Sequence, residues 1–518
     1  MTHQRSASCA SKPLIGKQIW YDRGTLARIF CPVGVLCSLL ISIAAIGAGV
    51  YLYQQPSHQY RLSKTDHIVF TAVLNMITTI CNESMGYIHS ISLRWSLFDE
   101  GKLQFNSNLR MFTSSKQTAA NSRFANLVCF IGVILSYSSG ALLLVAQGES
   151  AYAGVASDPT AHIAIPQAFI TYGIGILLQV IVTVMAIPSA YRAPTFSCSP
   201  LDTAAAALTR GQGQKALHRQ EGRCMMGVDR STQPSEPTKP SERQKSLFLA
   251  HKQVRPWLYV SFAAAAGGLI IAGVLLALII GGIDGSGQGT LNIQRRAVPV
   301  EEQAKFLHRA ILDSRGLHRR WEAAPGSDMF TPWVFGWLFA VISAAQTPLT
   351  MVLHSGERVV NCRRDESAWR KMARAKGLPR KAPSPPVAFI CSLSAMSLFF
   401  FKAAIHWVYS NAMTIVFVDL LTVSPYWVFG VGGGCGLLTA FLMLLTLVSC
   451  RGPQPATYGH LQTLIDLIDE WPTDEQTTMY WGHKERCIAW KDDMSINHAG
   501  VLLTGPPSED IQMDQLYS

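Results

Sequence analysis

Four ionisable side chains fall where the sequence is otherwise apolar. Glu83 and His89 lie in a run at 67–91, and Lys402 and His406 lie in another at 387–411. A charge at the centre of a membrane helix costs ~2.5–3.5 kcal/mol on insertion scales, so such residues face a partner or a cavity. Lys402 and His406 are four residues apart and share one helix face. Lys402 is the only lysine or arginine well inside any apolar run, while Glu83 sits mid-run and needs a proton or a cation. The pattern predicts a Glu83–Lys402 contact between two helices. Its chemistry is that of a structural ion pair or, alternatively, of acid–base groups lining a proton or solute path.

No other pattern carries chemistry. G-x-S-x-G, H-E-x-x-H, Walker A and Rossmann fingerprints are all missing from the sequence. The 12 cysteines include no C-x-x-C pair, and the 14 histidines show no zinc-type spacing. No catalytic residues, metal ligands or cofactor-binding residues are expected. The cysteines read as reduced packing residues.

The elements that must position these groups follow from composition. Hydrophobic residues make up 49% of the 518-residue chain and charged residues 15%, well under the roughly one quarter of ordinary globular proteins. The net charge of +11 points to nucleic acid or to an anionic membrane surface. Basic residues flank the apolar runs, which selects anionic lipid headgroups and the bilayer over nucleic acid. Seven runs, at 29–53, 124–146, 163–188, 257–282, 333–354, 387–411 and 425–449, reach the roughly 20 residues that cross a bilayer as a helix. The run at 67–91 is interrupted by Asn75, Asn82, Glu83 and His89, and a soluble amphipathic helix is its alternative.

Lysine and arginine counts then orient the chain. With eight spans, inner segments hold 34 and outer segments 9; with seven, the split is 31 against 12. Both place the C-terminus inside. An internal repeat favours eight. Arg192-Ala193-Pro194, Thr195-Phe196 and Leu201-Asp202-Thr203 follow the run ending at 188. Arg451-Gly452-Pro453, Thr457-Tyr458 and Leu461-Gln462-Thr463 follow the run ending at 449 in the same order. Likewise His89-Ser90 and His354-Ser355 close two runs and precede Asp99-Glu100 and Asp365-Glu366. Offsets of about 260 residues imply two parallel four-helix halves related by an axis along the membrane normal.

The expected fold is an all-α integral membrane protein of eight transmembrane helices with both termini cytoplasmic. Its parts are an N-terminal segment 1–28, a first half 29–190, a basic disordered linker 191–256, a second half 257–449 with an external loop 283–332, and a cytoplasmic tail 450–518. The loop carries an amphipathic stretch at 300–321. The tail carries a helical stripe at Leu461, Leu464, Ile465 and Ile468, ended by Pro472. Glycines at 430, 432, 433, 434 and 436 include two G-x-x-x-G spacings for close helix packing.

Two stretches resemble a family of multi-pass membrane proteins from filamentous ascomycete fungi. One runs from Ser92-Leu93-Arg94-Trp95 to Phe105-Asn106-Ser107-Asn108-Leu109-Arg110. The other comprises Gly459 to Leu464, Asp469-Glu470-Trp471, Tyr480 to Lys484 and His498-Ala499-Gly500. The resemblance covers most of the chain, except 283–332, and implies a fungal source. No biochemical activity is attached to the family, so no residue role carries over. Two function classes follow from the residues. The preferred one is a non-enzymatic scaffold or accessory protein that docks a cytoplasmic protein through 450–518. The other is a transporter or channel with Glu83, Lys402 and His406 on its path.

Overall fold

A computed structural model describes residues 19–55, 59–111, 113–146, 161–210, 217–250, 252, 255–256, 259–260, 262–263, 266–267, 269–270, 317–320, 332–381, 385–416, 420–423, 425–485 and 496–518. Most of the first half opens with α1 (Thr25–Tyr53), β1 (Gln59–Arg61) and α2 (Lys64–Asp99), and continues through α3 (Arg123–Gly140), β2 (Leu144–Ala146), β3 (Ala161–Ala164) and α4 (Pro166–Tyr191). The short helices α5 (Pro200–Arg210) and α6 (Leu247–Ala250) lead to β4 (Leu317–Arg320) and α7 (Pro332–Arg370). Next come β5 (Leu378–Pro379), α8 (Pro385–Ile390), α9 (Leu393–Ala412), β6 (Met413–Val416), β7 (Leu420–Val423) and α10 (Pro425–Leu447). The chain finishes with α11 (Leu461–Leu467), β8 (Thr478–Glu485), β9 (Ile496–Leu502) and β10 (Leu516–Tyr517).

The halves repeat one another in detail. In the first, β3 pairs with both β1 and β2, in the order β1-β3-β2; in the second, β7 pairs with both β4 and β6, in the order β4-β7-β6. All four pairings are antiparallel. Each closing helix, α4 or α10, begins on a proline next to its last strand, at Pro166 and Pro425, where the fixed φ suits a first helical turn. The same spacing that carries 166 to 425 also carries Gly173 to Gly432 and Gly175 to Gly434. Packing is reciprocal as well: α2 of the first half contacts α9 of the second, and α7 of the second contacts α3 of the first.

Among the described residues, five helices are long and apolar enough to cross a membrane: α1, α2, α3, α4 and α10. The once doubtful run 67–91 lies inside α2, a continuous 36-residue helix opened by a capping box between Ser63 and Asp66. The expected runs at 333–354 and 387–411 are helical in α7, α8 and α9, but α9 is made less apolar by Lys402 and His406. Most of the run 257–282 and the stretch 300–316 lie outside the described residues. The bundle turns Leu36, Leu40 and Ile43 of α1, Ile181 and Val184 of α4, and Leu437 and Leu444 of α10 outward. Outward apolar side chains of this kind are what hydrocarbon solvates.

Two expectations need correction. The protein is mostly helical but not all-α, because three small sheets accompany the helices. The segment 191–256 is also not a disordered linker where it is described. It adds α5, buries Cys224, Met225, Met226 and Val228, and bonds its backbone to the tail: Val228 to Ala456 (2.8 Å), Thr238 to Tyr517 (2.9 Å) and Gln244 to Cys450 (2.9 Å). Those tail partners satisfy polar backbone that the composition of 191–256 alone leaves open.

This segment, the ends of α2 and α7, α11 and a sheet in the order β10-β9-β8-β5 form a polar cap at one end of the bundle. Leu461, Leu464, Ile465 and Ile468 are fully buried there. α11 ends at Leu467 because Ile468 is extended (φ −101°, ψ 103°), one turn before Pro472. Asp202 and Arg380 form a buried ion pair at 2.7 Å, and Trp20 N donates to Pro472 O at 2.9 Å. Residues from 19 onward and residues up to 518 thus meet in the same cap.

Candidate functional site

The two halves enclose a cavity of about 460 Å³ where their exchanged helices cross. That volume falls in the ~300–1,000 Å³ range of small-molecule sites. One face of α7 supplies Thr350, His354, Glu357, Asn361 and Arg364, spaced alternately four and three apart, which is a single helical stripe. α2 supplies Glu83, Gly86, Ser90 and Arg94 on its own stripe; Phe130 and Val133 of α3 and Leu398, Phe399 and Lys402 of α9 complete the wall. Apolar walls with a few convergent charges are the usual make-up of small-molecule sites.

Lys402 carries the deepest charge. Its Nζ donates to Oε1 of both Glu83 and Glu357. The lysine is 2% exposed, Glu357 27% and Glu83 40%. The ammonium is therefore sequestered while the carboxylates face the open volume. Glu357 also meets His354 Nδ1 at 2.8 Å, within one turn of α7. Four titratable groups thus form a continuous chain, His354–Glu357–Lys402–Glu83. A chain of this kind can redistribute a proton when a charged solute arrives or leaves.

Below this cluster a polar seam runs along the α2–α9 contact. Asn75, Thr79 and Glu83 are spaced by four on α2, and Lys402, His406 and Ser410 are spaced by four on α9. Asn75 Nδ2 donates to Ser410 Oγ at 3.3 Å. Thr79 Oγ1 and the Tyr137 hydroxyl are 2.9 Å apart. The Tyr137 ring stacks on His406 at 3.6 Å and 9°, and Gln346 Nε2 contacts His406 Nδ1. Tyr137, Gln346 and His406 are buried and do not line the cavity, so this layer closes it toward the β1-β3-β2 and β4-β7-β6 sheets.

The other end of the cavity meets the cap. Arg94 donates from Nε to Asn106 O and from Nη1 to Ser197 O, both at 2.9 Å. Asn106 Nδ2 donates to Asp365 Oδ2 at 2.9 Å, and Thr203 Oγ1 donates to Asn106 Oδ1 at 2.7 Å. Gly459 has φ +77°, and a Cβ there would lie 2.6 Å from Asp365 Oδ2; only glycine fits that approach. The stretches 92–110 and 459–464 therefore meet at one junction between bundle and cap. Arg110 and Arg364 line the cavity beside it, and Arg110 Nη1 is buried with no hydrogen-bond partner.

Of the four residues singled out by sequence, the structure joins Glu83 and Lys402. It places His406 one turn from Lys402, but turned into the closing layer. His89 stands apart, fully buried toward Asn126 and Arg110, and lines no part of the cavity. Glu357, Arg110 and Arg364 escaped the sequence reading. The signal for Glu357 and Arg364 was present, since the 3–4 spacing of His354, Glu357, Asn361 and Arg364 continues the α7 stripe past its apolar run. Among the described residues no cluster of His, Cys, Asp and Glu is arranged to hold a metal ion. Comparison with protein families, curated proteins and solved structures finds no match.

Proposed function

We propose that the protein is a polytopic membrane transporter for a small organic solute. In this reading eight helices form two parallel four-helix halves, both termini and the cap are cytoplasmic, and the structure is the state open toward the cap. The observation that carries the reading is the cavity between the halves, with the Lys402 cluster on its wall. Transporters built from repeats bind solutes at the repeat interface, near the middle of the membrane. The titratable chain supplies a means of coupling a proton to the solute, and the Tyr137–His406–Gln346 layer is the closed gate.

The scaffold reading relies in part on the helical stripe of the tail. The stripe Leu461–Ile468 that would dock a partner is consumed by the protein's own core. A fungal membrane family remains the context in which the two resembling stretches are best understood.

The test is flux in sealed vesicles containing the full-length protein and an internal pH dye, challenged in turn with a panel of small organic acids, amines and neutral metabolites. At least one compound should drive an internal pH change that Lys402→Ala abolishes. A panel silent throughout, or flux indifferent to Lys402→Ala, would overturn the proposal.

A further inference from the structure

Resting on the transport reading, we infer that the solute is an anionic amphiphile, held with its acidic head among Arg110, Arg364 and Arg94 and its apolar chain along Phe130, Leu398 and Phe399. Charge supports this first. Four cationic side chains line the cavity against two carboxylates, and Lys402 satisfies both carboxylates. The arginine end is left with a positive excess. Arg94 is already held by backbone carbonyls. Arg364 is ion-paired with the buried Asp365 at 3.8 Å, so this end holds three guanidinium groups against one carboxylate. An acidic head supplies the counter-charge that three guanidinium groups and one carboxylate leave unmet.

Shape supports it second. The cavity follows α2 from Ile80 to Arg94, about 20 Å at 1.5 Å per residue. This is long for a compact polar metabolite and suited to a chain. Its side wall includes Ala388 and Phe389 of the short helix α8, which is separated from α9 by a break at Cys391-Ser392. Around that break Val387, Ile390 and Leu393 point outward, as does Ile80 on α2. The lip is therefore apolar on its outer face and arginine-rich within. A chain bearing an acidic head can slide in sideways from the bilayer, with its head kept at headgroup depth.

The full-length protein in nanodiscs of zwitterionic lipid tests the idea with a fluorescent long-chain carboxylate. Comparators are the alcohol and the trimethylammonium of the same chain, and a short-chain carboxylate. The long carboxylate should bind about tenfold or more tighter than each comparator. Arg110→Gln should bring carboxylate binding down to the level of the alcohol, and a preference that survives the substitution overturns the inference. Acidic phospholipid added to the discs separates the two sources of such a head. Displacement of the probe identifies a resident bilayer lipid as the occupant, and no displacement identifies a diffusible amphiphile. Equal binding of the short carboxylate, or equal binding of the cation, overturns the inference but leaves organic-acid flux in vesicles intact. Loss of binding to every probe together with absent flux removes the transport reading too.

Discussion

Lys402→Met is the most informative single change. It leaves two carboxylates facing each other without the ammonium that bridges them. Removing one member of a buried ion pair costs ~3–5 kcal/mol, because the other charge stays behind uncompensated. Glu83 is 40% exposed to the cavity, so solvent screens its share. Glu357, at 27%, is screened less. The expected loss therefore sits at the lower end, ~3 kcal/mol. Adding Glu357→Gln should recover more of it than adding Glu83→Gln. The triple variant should return to within ~1 kcal/mol of the native protein, since a neutral replacement of a buried pair is often nearly neutral. Protonating the orphaned carboxylates also removes the unpaired charge, so the deficit should shrink as pH falls. Reversible unfolding in mixed micelles at neutral and acidic pH measures all of these. Strict additivity within ~0.3–0.5 kcal/mol, or a larger rescue by Glu83→Gln than by Glu357→Gln, would refute the geometry.

Three further predictions concern the frame around the cavity. Gly175→Ala puts a Cβ 2.7 Å from Ser136 N and forces α3 and α4 apart, whereas Gly436 has nothing within 4 Å of its Cβ position. The first should lose ~1–3 kcal/mol and the second stay within ~0.5 kcal/mol, read as paired thermal midpoints. Arg380→Met strands Asp202 in the cap core and should cost ~3–5 kcal/mol, with Asp202→Asn restoring most of it; no rescue in the double variant would count against the pair. In the cap, burial pulls the His498 imidazolium down, but Asp469, Cys224 and the Ser518 carbonyl together outweigh burial and lift it to about 10. Burial likewise raises Asp469, yet His498 and Lys484 together hold it below the ordinary carboxylate range. The His498 contribution is complete below its ordinary pKa of 6.5 and fades as pH rises through about 10. The Asp469 contribution is present above 3.8 and is lost as pH falls below that. Tryptophan fluorescence of the cap should thus report greatest resistance to denaturant between those limits. His498→Gln should flatten the alkaline limb, and an alkaline limb unchanged by that substitution would sink the assignment.

What could be read from the chain without coordinates follows its physics. Long apolar runs are local, so α1, α4 and α10 are visible at once. The Glu83–Lys402 contact is visible because each is a lone charge in an apolar setting and each needs the other. The sheets were not visible: β1 and β2 are three residues long, too short to show alternation, and β1 pairs with β3 across about 100 residues of chain. Glu357 was hidden by a boundary drawn where hydropathy falls, although α7 keeps its hydrogen-bonded turns to Arg370. The segment 217–250 read as disordered because its polar surroundings mask Cys224-Met225, whose burial partners include Leu461 to Val501, more than 200 residues away in sequence. His89 met no charged partner of opposite sign, and nothing in its sequence context distinguishes a buried packing histidine from a working one.

The repeat explains where the chemistry lies. α3 and α9 end on matching Tyr-Ser pairs, Tyr137-Ser138 and Tyr409-Ser410. Both tyrosine hydroxyls bond to the long helix of their own half, Tyr137 to Thr79 and Tyr409 to Ile342 O at 2.7 Å. The same alignment sets Lys402 opposite Phe130 and His406 opposite Ile134. Phe130 and Lys402 both line the cavity, so equivalent positions of the two halves face one volume with opposite character. On the long helices, the match of His89-Ser90 to His354-Ser355 sets Glu83 against Pro348. Each charge in the deep cluster therefore stands where its counterpart in the other half is uncharged. A purely structural role for the repeat would be served by keeping both copies apolar, because every buried ion in a membrane interior raises the cost of folding. In the transport reading proposed above, these departures supply one set of charges between two similar halves that rock against each other.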